Sequence, residues 1–423
     1  MKYKLATVQA AMKIRKKHIV LLTSGQPATN PRLLKEADCL HAYGYEVTVI
    51  CCYWNAWANF ADKQLMSSRS WKCIQVGGNP VSNKSSYVFS RIIHLLCVIA
   101  SKLGLPLRKY AISRATRPLM HAAKAIKADM YIAHNLAALP AAVEASKKHQ
   151  AVSGFDAEDY HRAETAAIRT DFNTRLKVFL EDLYVPQLSY FTTSTTLIAQ
   201  LYAGHYGINP TVIRNVFPKT AASIASKITV EHASIKLCWF SQTIGPNRGL
   251  EVVLQALSQL NEKQYELHLL GAMKFGYAEV LSTLAEQLGL PANKIHIHGP
   301  LAPNALFQFC SAFDIGLASE PGFCTNNQVA LSNKLFTYIQ SSLAVLLSDT
   351  AAQRLFYDEH PGIGLCYERS NSAQLADSIQ YYIDHRNVLQ QTKLNNYQLG
   401  QQSLNWETES QHLIGKIKSS LHE

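Results

Sequence analysis

The chain has 423 residues, of which 48% are apolar and 17% charged; this composition is typical of globular domains and excludes a largely disordered protein. No repeat period is found, and the longest uncharged apolar run, residues 92–101, is about half the roughly 20 residues of a transmembrane helix. The net charge is +11, but residues 1–218 carry 27 basic and 13 acidic residues, whereas residues 219–423 carry 14 and 17. This break predicts two halves with different partners.

The nine cysteines form no C-x-x-C motif and lie mostly among apolar neighbours, so we expect buried, reduced thiols. The first 17 residues are basic and lack an apolar core of signal-peptide length. Both features predict a cytoplasmic protein in a reducing compartment.

Short apolar runs alternate with amphipathic stretches through the first half. The runs His18–Ser24 and Glu46–Cys52 enclose an amphipathic stretch, Pro31–Tyr43, with a proline suited to its first turn. Strand, helix and strand in this order are typical of a parallel sheet. Further strands are predicted at Met130–His134, Val152–Asp156, Tyr190–Thr193 and Thr211–Arg214.

The segment Tyr87–Arg117 departs from this alternation. It is long, apolar on one side, and contains six Arg or Lys residues and no acidic residue. Two interpretations stay open. One is an ordinary helix pair on the sheet with a solvated basic face; the other is a surface that contacts an anionic membrane or a lipid-linked acceptor.

The second half repeats the alternation after a small, polar stretch at residues 218–232, which is typical of a linker. Strands are predicted at Lys236–Phe240, Glu266–Gly271, Lys294–His298, Ile315–Ala318 and Ala344–Leu347. Helices are predicted at Gly249–Leu260, Tyr277–Leu288, Pro303–Ala312, Val329–Gln340 and Ala373–Asp384. The sequence thus predicts an α/β protein with two doubly wound, Rossmann-like domains. Ligands of such domains bind at the carboxyl ends of the strands, here in a cleft between the two.

Candidate binding residues of the first half follow its predicted strands. The stretch 23–32, with Gly25 and Arg32, opens a helix whose amino end favours an anion, and a plain turn is the alternative. His134 opens another helix, where it either contacts a sugar hydroxyl or is a structural histidine.

A charged cluster that contains Asp156, Glu158 and His161 follows the next strand. An acidic helix start would explain the cluster, and its side chains are otherwise candidates for the acceptor side of a binding site. Asp156 and Glu158 resemble a metal-binding carboxylate pair, but a metal site would need two other carboxylates that the sequence does not place with them, so we predict no metal site.

Polar residues of the second half stand in a similar place. Arg248 precedes a predicted helix, where a guanidinium can hold a diphosphate. Gly299 closes a strand, and Glu320 follows the next one. Asn326 and Lys334 come after it, and a carboxylate followed by a lysine suits sugar hydroxyls and phosphate, respectively.

In this order the motifs resemble the retaining glycosyltransferases of the GT-B fold, glycosyltransferase family four, over nearly the whole chain and most closely in its second half. The family's donor motif has Arg and, six residues later, Lys just before Gly; here these positions are Gln242 and Arg248. Its later motif begins with Glu-Pro, which matches residues 320–321. In its Lys-x-x-Glu-Tyr turn, residues 334–338 here, Thr337 replaces the second glutamate.

The resemblance implies retaining, metal-independent transfer of a sugar from a nucleotide-sugar donor to an acceptor hydroxyl, in the assembly of cell-envelope polysaccharide or glycolipid. Residues 1–218 would form the acceptor-side domain, and residues 219–404 would form the donor domain. Residues 405–423 would return to the first domain as a closing helix. The nucleotide sugar, linked to UDP or GDP, is a substrate, and no cofactor is implied. The partner implied is a glycan or lipid-linked acceptor. Contact with an anionic membrane at its cytoplasmic face is predicted from the basic, one-sidedly apolar residues 87–117 and not from the resemblance.

The resemblance assigns roles to His134, Glu320, Gly25, Gln242, Arg248, Lys334 and Thr337, and the other candidates are predicted from their places in the sequence pattern. The catalytic candidates are His134 and Glu320, which would orient the transferred sugar. The donor-binding candidates are Gly25, Gln242, Arg248, Gly299, Asn326, Lys334 and Thr337. The acceptor-side candidates are Arg32, Asp156, Glu158 and His161.

Two departures from the family pattern support other interpretations. Gln242 supplies no charge to a phosphate, and Thr337 cannot offer a bidentate carboxylate. A catalytically silent partner subunit that binds a sugar nucleotide is therefore the main alternative. A sugar-nucleotide epimerase of similar build is another. A nucleic-acid partner is not expected, because no recognised reader motif accompanies the basic half.

Overall fold

The computed structural model describes residues 15–165, 171–220 and 234–423, apart from the side chains at positions 303 and 304. The chain divides into two compact units, of which the first ends at Gly154 and the second begins at Phe155. Most of the predicted linker, residues 221–232, lies outside the described residues. The domain boundary between 218 and 219 stays a prediction.

Two parallel sheets form the framework, as predicted. The first contains β1 (His18–Leu22), β2 (Glu46–Cys52), β3 (Lys72–Val76), β4 (Met130–Ala133), β5 (Val152–Ala157), β6 (Tyr190–Thr193) and β7 (Thr211–Val212). The second contains β8 (Ile235–Ile244), β9 (Tyr265–Met273), β10 (Ile295–His298), β11 (Ile315–Ala318), β12 (Ala344–Ser348) and β13 (Gly364–Tyr367). The orders are β3-β2-β1-β4-β5-β6-β7 and β10-β9-β8-β11-β12-β13. Each is a doubly wound order that reverses direction beside its first strand, and ligands bind at the carboxyl edge of such a reversal.

Helices connect the strands within the described residues. In the first half they are α1 (Pro31–Ala42), α2 (Ala56–Ser67), α3 (Lys84–Lys102), α4 (Arg108–Ala111), α5 (Thr116–Ala125), α6 (Leu139–His149), α7 (Phe172–Tyr184) and α8 (Thr196–Tyr206). In the second half they are α9 (Leu250–Leu257), α10 (Tyr277–Gln287), α11 (Pro303–Cys310), α12 (Thr325–Val329), α13 (Asn333–Gln340), α14 (Ala351–Glu359), α15 (Ser372–Asp384), α16 (Arg386–Gln402) and α17 (Trp406–Leu421). No helix among the described residues is both long and apolar enough to span a membrane.

The central strands are buried because helices cover both faces of a parallel sheet, which explains their continuous apolar runs. All five residues of β1 are buried, as are all four of β11. Close packing of α13 on β11 depends on Gly316, since a Cβ atom there would lie 2.2 Å from Cγ of Tyr338. This contact fixes the helix that carries Lys334 against the strand that precedes Glu320.

Two strands were missing from the sequence prediction, β3 and β13. Both lie at the edge of their sheets, β3 at one end of the first order and β13 at one end of the second. Residues of an edge strand are less completely buried, so the apolar run that marks a central strand is weaker there. In β3 each of the five residues is exposed or half-buried.

Several predicted limits shift by one to three residues, and two differences affect the candidate site. The single helix predicted at Val329–Gln340 is divided into α12 and α13, because Ala330 leaves the helical conformation and Ser332 caps a new helix by accepting a hydrogen bond from the amide of Lys334. Strand β8 continues to Ile244, with an irregularity between Phe240 and Thr243, so Gln242 lies in a bulged strand and not in a loop.

The closing helix α17 returns to the first sheet, as predicted. Helix α17 packs against β6. The amide of Trp406 donates to the carbonyl of Phe217 at 2.8 Å, and the carboxylate of Glu409 accepts from the amide of Arg214 at 2.7 Å. The C-terminal helix is thereby joined to the end of β7 and the residues that follow it.

Candidate functional site

A polar cavity of about 230 Å³ lies within the second unit. Its lining residues are Glu158, Asp159, Ser194, Asn215, Glu320, Asn326, Asn327, Ala330, Leu331, Ser332 and Asn333. Three of these, Glu158, Glu320 and Asn326, were predicted site residues. The lining consists mainly of carboxylates, amides and hydroxyls, which are the groups that hydrogen-bond sugar hydroxyls.

Glu320 of the cavity lining forms an ion pair with Lys334, which lies next to the lining residue Asn333 in the sequence. The Nζ atom of Lys334 lies 2.6 Å from Oε1 of Glu320, and their side chains are only 8% and 11% exposed. Burial alone would raise the pKa of Glu320, but the charge of Lys334 and hydrogen bonds from Lys334, Asn327 and Ser332 outweigh it, so the pKa lies below its ordinary value. Glu320 is therefore an ionised, buried acceptor.

The segment after β11 is held in place from two sides. The amide of Glu320 donates to Oγ of Ser348 at 2.9 Å, and that hydroxyl donates to the carbonyl of Glu320 at 2.8 Å. Oδ1 of Asn327 accepts from the amide of Gly322, and its Nδ2 donates to Oε2 of Glu320 at 3.3 Å. The carboxylate orientation is thus set by the neighbouring strand β12 and by helix α12.

Asn326 links α12 to the charged cluster that follows β5. Its Oδ1 accepts from the amide of Tyr160 at 2.7 Å, and its Nδ2 donates to Oδ1 of Asp159 at 2.9 Å. Because both ends of the amide are engaged, Asn326 positions the wall of the cavity.

Glu158 is another carboxylate of the cavity lining. Its Oε1 accepts from Nδ2 of Asn215 at 2.7 Å, and its carbonyl accepts from the hydroxyl of Ser194. These bonds connect the ends of β5, β6 and β7, which are neighbours in the first sheet. The carboxyl ends of adjacent strands therefore supply this wall.

Asp156 and His161 do not belong to the described lining. Asp156 is buried and accepts from the hydroxyl of Thr192 at 2.7 Å. His161 pairs through Nδ1 with Glu164, which also binds Lys177. Burial opposes charge on both members of the pair, but each stabilises the other. The pKa of His161 is consequently raised, and the pKa of Glu164 is lowered to about 2.

The predicted phosphate-side residues are arranged around the start of α9. Arg248 is exposed, with Nη1 donating to Oγ of Ser241 at 3.2 Å. Gly249 caps α9 at a φ of +77°, and a Cβ atom there would lie 2.6 Å from the carbonyl of Ser319. The amino end of α9 thus lies against the residue that precedes Glu320.

Three other donor-side candidates have no place in the described cavity lining. Gln242 is exposed on β8, and Gly299 is exposed with open space beside it. Thr337 is fully buried, and its hydroxyl donates to the carbonyl of Asn333 within α13 at 3.0 Å. The hydroxyl that replaces the family's second glutamate is therefore engaged by its own helix.

The remaining candidates lie in the first unit. His134 is buried with Nε2 3.3 Å from Oε2 of Glu36. Arg32 is buried at the start of α1, and the amide of Gly25 donates to Oγ1 of Thr23 at 3.3 Å. Sequence reasoning gave no role to Gln26, which is fully buried.

Gln26 organises the loop that follows β1. Its Nε2 donates to Oδ1 of Asn59 at 3.1 Å and to Oδ2 of Asp62 at 2.9 Å. Its Oε1 accepts from the amides of Trp54 and Asn55 at 2.9 and 2.8 Å. A buried glutamine with four partners ties the loop to the start of α2.

Sequence reasoning also missed Asp159, Ser194, Asn215, Asn327 and Ser332 as cavity residues. Their common feature is a polar side chain one to four residues after a strand or beside a helix start. Asn215 follows β7, and Ser194 follows β6 directly. Searching every such position would have found them, whereas the family motif pointed to other positions.

No protein-family model matches the chain, and no curated protein matches it by sequence. Solved structures do match in fold. HepE of Anabaena in complex with UDP-glucose is 17% identical with a TM-score of 0.67, over 95% of this chain and 99% of that chain. A sucrose-phosphate synthase from Thermosynechococcus elongatus is 11% identical with a TM-score of 0.66, over 96% and 99%.

A third match is WaaG, a glycosyltransferase involved in lipopolysaccharide biosynthesis. It is 13% identical with a TM-score of 0.61, over 94% of this chain and 98% of that chain. At identities this low the likeness concerns the fold alone. It confirms the predicted fold class, a GT-B protein built from two parallel, doubly wound sheets.

Proposed function

We propose that the chain is a glycosyltransferase that moves a sugar from a nucleotide-sugar donor to an acceptor hydroxyl, with retention at the anomeric carbon. The observation that carries the proposal is Glu320, which follows β11, lines a cavity rich in amides and hydroxyls, and is paired with the buried Lys334. An ionised carboxylate held in a fixed orientation suits a sugar hydroxyl as a hydrogen-bond acceptor.

Charge stabilisation on the leaving diphosphate is assigned to Arg248 and the amino end of α9. The guanidinium is exposed and has five donors that match phosphate oxygens. The first amides of α9 add a positive dipole end beside it. Lys334 acts on the phosphates less directly, because its ammonium already binds Glu320; it keeps Glu320 ionised and adds positive potential to the site.

These cations would serve in place of a metal ion, and the nucleotide sugar would be consumed as a substrate, so we propose no resident cofactor. The solved structure of HepE contains UDP-glucose, which supports a uridine donor; a guanosine donor is the alternative. His134 is proposed to act on the sugar side, and Asp156 and His161 are each proposed to act on the acceptor side.

The acceptor is proposed to be a glycan or lipid-linked hydroxyl compound of the cell envelope. WaaG, which shares the fold, is described as involved in lipopolysaccharide biosynthesis. The basic balance of residues 1–218 favours an anionic or membrane-bound acceptor. We accordingly place the protein in the cytoplasm, at the inner face of the membrane.

A second candidate is a catalytically silent partner subunit that binds a sugar nucleotide. Two residues favour it. Gln242 carries no charge, and the hydroxyl of Thr337 already donates to the carbonyl of Asn333. Such a subunit would bind the donor and release no product.

The two candidates are separated by a turnover assay with UDP-linked and GDP-linked sugars and a lipid-linked or glycan acceptor mixture. Release of free nucleoside diphosphate that depends on the acceptor, with a product whose anomeric configuration matches that of the donor by NMR, supports the transferase. Binding without any release of diphosphate supports the silent subunit.

Membrane contact is proposed for α3, because its amphipathic pattern is inverted. The buried face carries small and polar residues, Ser90, Cys97 and Ser101. Large apolar side chains are 47–59% exposed instead, namely Val88, Phe89, Ile92, Leu95, Leu96 and Ile99. Residues 63–128 contain no acidic residue, so an apolar face with a basic surround fits an anionic lipid surface.

We expect the double variant Ile92→Ser/Leu96→Ser to bind anionic vesicles at least about tenfold more weakly, since each buried apolar side chain contributes about 1.5–3 kcal/mol. Flotation with vesicles of phosphatidylglycerol and phosphatidylcholine measures the partition. The matched control is Phe275→Ser/Val280→Ser, which removes two exposed apolar side chains from the second unit. Equal flotation of both variants and the wild type would show that α3 does not bind the membrane.

A further inference from the structure

We propose that Glu266, His268 and His296 form a binding site for a divalent transition-metal ion of the zinc type, on one face of the second sheet. The site is separate from the proposed transferase chemistry, and none of its three residues lines the polar cavity. The inference therefore does not depend on the proposed function.

The strand register brings these side chains together. β9 and β10 are parallel neighbours, and His296 is the partner of His268 in their ladder. Glu266 precedes His268 by two residues and so lies on the same face of the sheet. One ligand atom from each of the three residues lies within 4.8 Å of the others. Small side-chain rotations would bring all three ligand atoms to the bond length of about 2.0–2.2 Å from one zinc ion.

The donor atoms are of the kind that zinc prefers. Nε2 of His268 and Nε2 of His296 are buried and have no hydrogen-bond partner among the described residues. The carboxylate Oε2 of Glu266 lies 3.6 Å from Nε2 of His268. Two imidazole nitrogens and one carboxylate oxygen are a common zinc ligand set, with a water as the fourth ligand. Buried imidazole nitrogens without a partner are costly, and a bound ion would satisfy them.

Neighbouring groups already orient the proposed ligands. Nδ1 of His268 lies 3.0 Å from Nε2 of His298, so one ring nitrogen of His268 is engaged and the other is directed elsewhere. The rings of His268 and His296 are stacked with centroids 4.5 Å apart, and Phe313 packs on His268 at 4.6 Å. The contact between Nδ1 of His268 and His298 engages the second ring nitrogen, which is how the tautomer of a ligating histidine is fixed.

One competing charge lies close to the site. Lys236 on β8 is opposite Glu266 in the ladder, and the hydroxyl of Ser234 donates to Oε1 of Glu266 at 3.3 Å. Oε2 is left toward Nε2 of His268. The side chains of His268 and Glu266 are 13% and 29% exposed, which leaves a path for an ion from solvent.

The first experiment adds Co²⁺ to the purified full-length protein and records its visible spectrum, with Zn²⁺ as competitor. We expect one Co²⁺ per chain, intense d–d bands of a tetrahedral nitrogen and oxygen site, and their loss when Zn²⁺ is added. Absence of these bands at micromolar protein and metal would overturn the proposal. A thiolate-to-cobalt charge-transfer band would also overturn it, because it would assign the metal to cysteines.

Substitutions then locate the site. His296→Ala and Glu266→Gln are each expected to lower the affinity for Zn²⁺ at least tenfold in calorimetric titration. His412→Ala, which removes an exposed histidine of α17, should leave it unchanged. Glu266 is partly exposed, so its variant keeps the test available if His296→Ala fails to fold. Unchanged affinity in Glu266→Gln and in a folded His296→Ala would refute the assignment.

Discussion

Replacing Glu320 by glutamine is expected to lower the rate of sugar transfer by about 10²–10³-fold, the range found when one fixed electrostatic contact of an active site is removed. The carboxylate is ionised, almost fully buried and oriented by Asn327 and Lys334. Glutamine keeps its shape and offers only a neutral amide, so both the strong acceptor and the counter-charge of Lys334 are lost. Acceptor-dependent release of nucleoside diphosphate measures the effect.

The matched control is Glu279→Gln, which removes an exposed carboxylate from α10 in the same unit. It should transfer at the wild-type rate. Circular dichroism must show that Glu320→Gln is folded, because a buried lysine without its partner costs stability. The double variant Glu320→Gln/Lys334→Met should lose less than the sum of the single losses, since the two side chains act as one pair. Wild-type transfer by a folded Glu320→Gln protein would refute the site.

Replacing Lys393 by methionine is expected to lower the free energy of unfolding by about 3–5 kcal/mol, the usual cost of removing one partner from a buried ion pair. Nζ of Lys393 lies 3.0 Å from Oδ1 of Asp314, and both side chains are only 3% exposed. Asp314 also accepts from the amide of Lys236 at 3.0 Å, so it fixes the start of β11 beside β8. The variant leaves a buried carboxylate without its counter-charge.

Urea denaturation followed by circular dichroism measures this loss. The control is Lys263→Met, at an exposed position, which should stay within about 0.5 kcal/mol of the wild type. A similar small change for Lys393→Met would mean that the pair contributes little. It would also remove the argument that this pair anchors the strand whose other end leads to Glu320.

The fold was largely predictable because central strands of a parallel sheet are buried on both faces. Runs such as Ile315–Ala318 then stand out, and the strand found there has the predicted limits. The edge strands β3 and β13 lack that signature and were missed. The interruption at residues 330–332 could not be predicted from periodicity, since Val329–Gln340 keeps a helical apolar pattern across it.

The site was predictable only in part, because its walls depend on contacts between distant positions. Glu320 and Asn326 could be proposed from their place after a strand. The bond from Asn326 to Asp159 joins positions 167 residues apart, and the bond from Asn215 to Glu158 depends on the order of β5, β6 and β7. The bond from Asn327 to Glu320 depends on the local turn between β11 and α12. The hydrogen bond from the Thr337 hydroxyl to the carbonyl of Asn333 likewise depends on the side-chain conformation, which the sequence does not give.

The most direct test of the account is thermal denaturation of the purified protein with UDP, GDP, ADP and their common sugar conjugates. A ligand that binds only the native protein stabilises it by about 2.7 kcal/mol at a hundredfold excess over Kd. The account predicts a clear rise in melting temperature with UDP or GDP and their sugars, and a smaller rise for Arg248→Ala. No rise with any of these compounds at millimolar concentration would contradict a donor site in this chain.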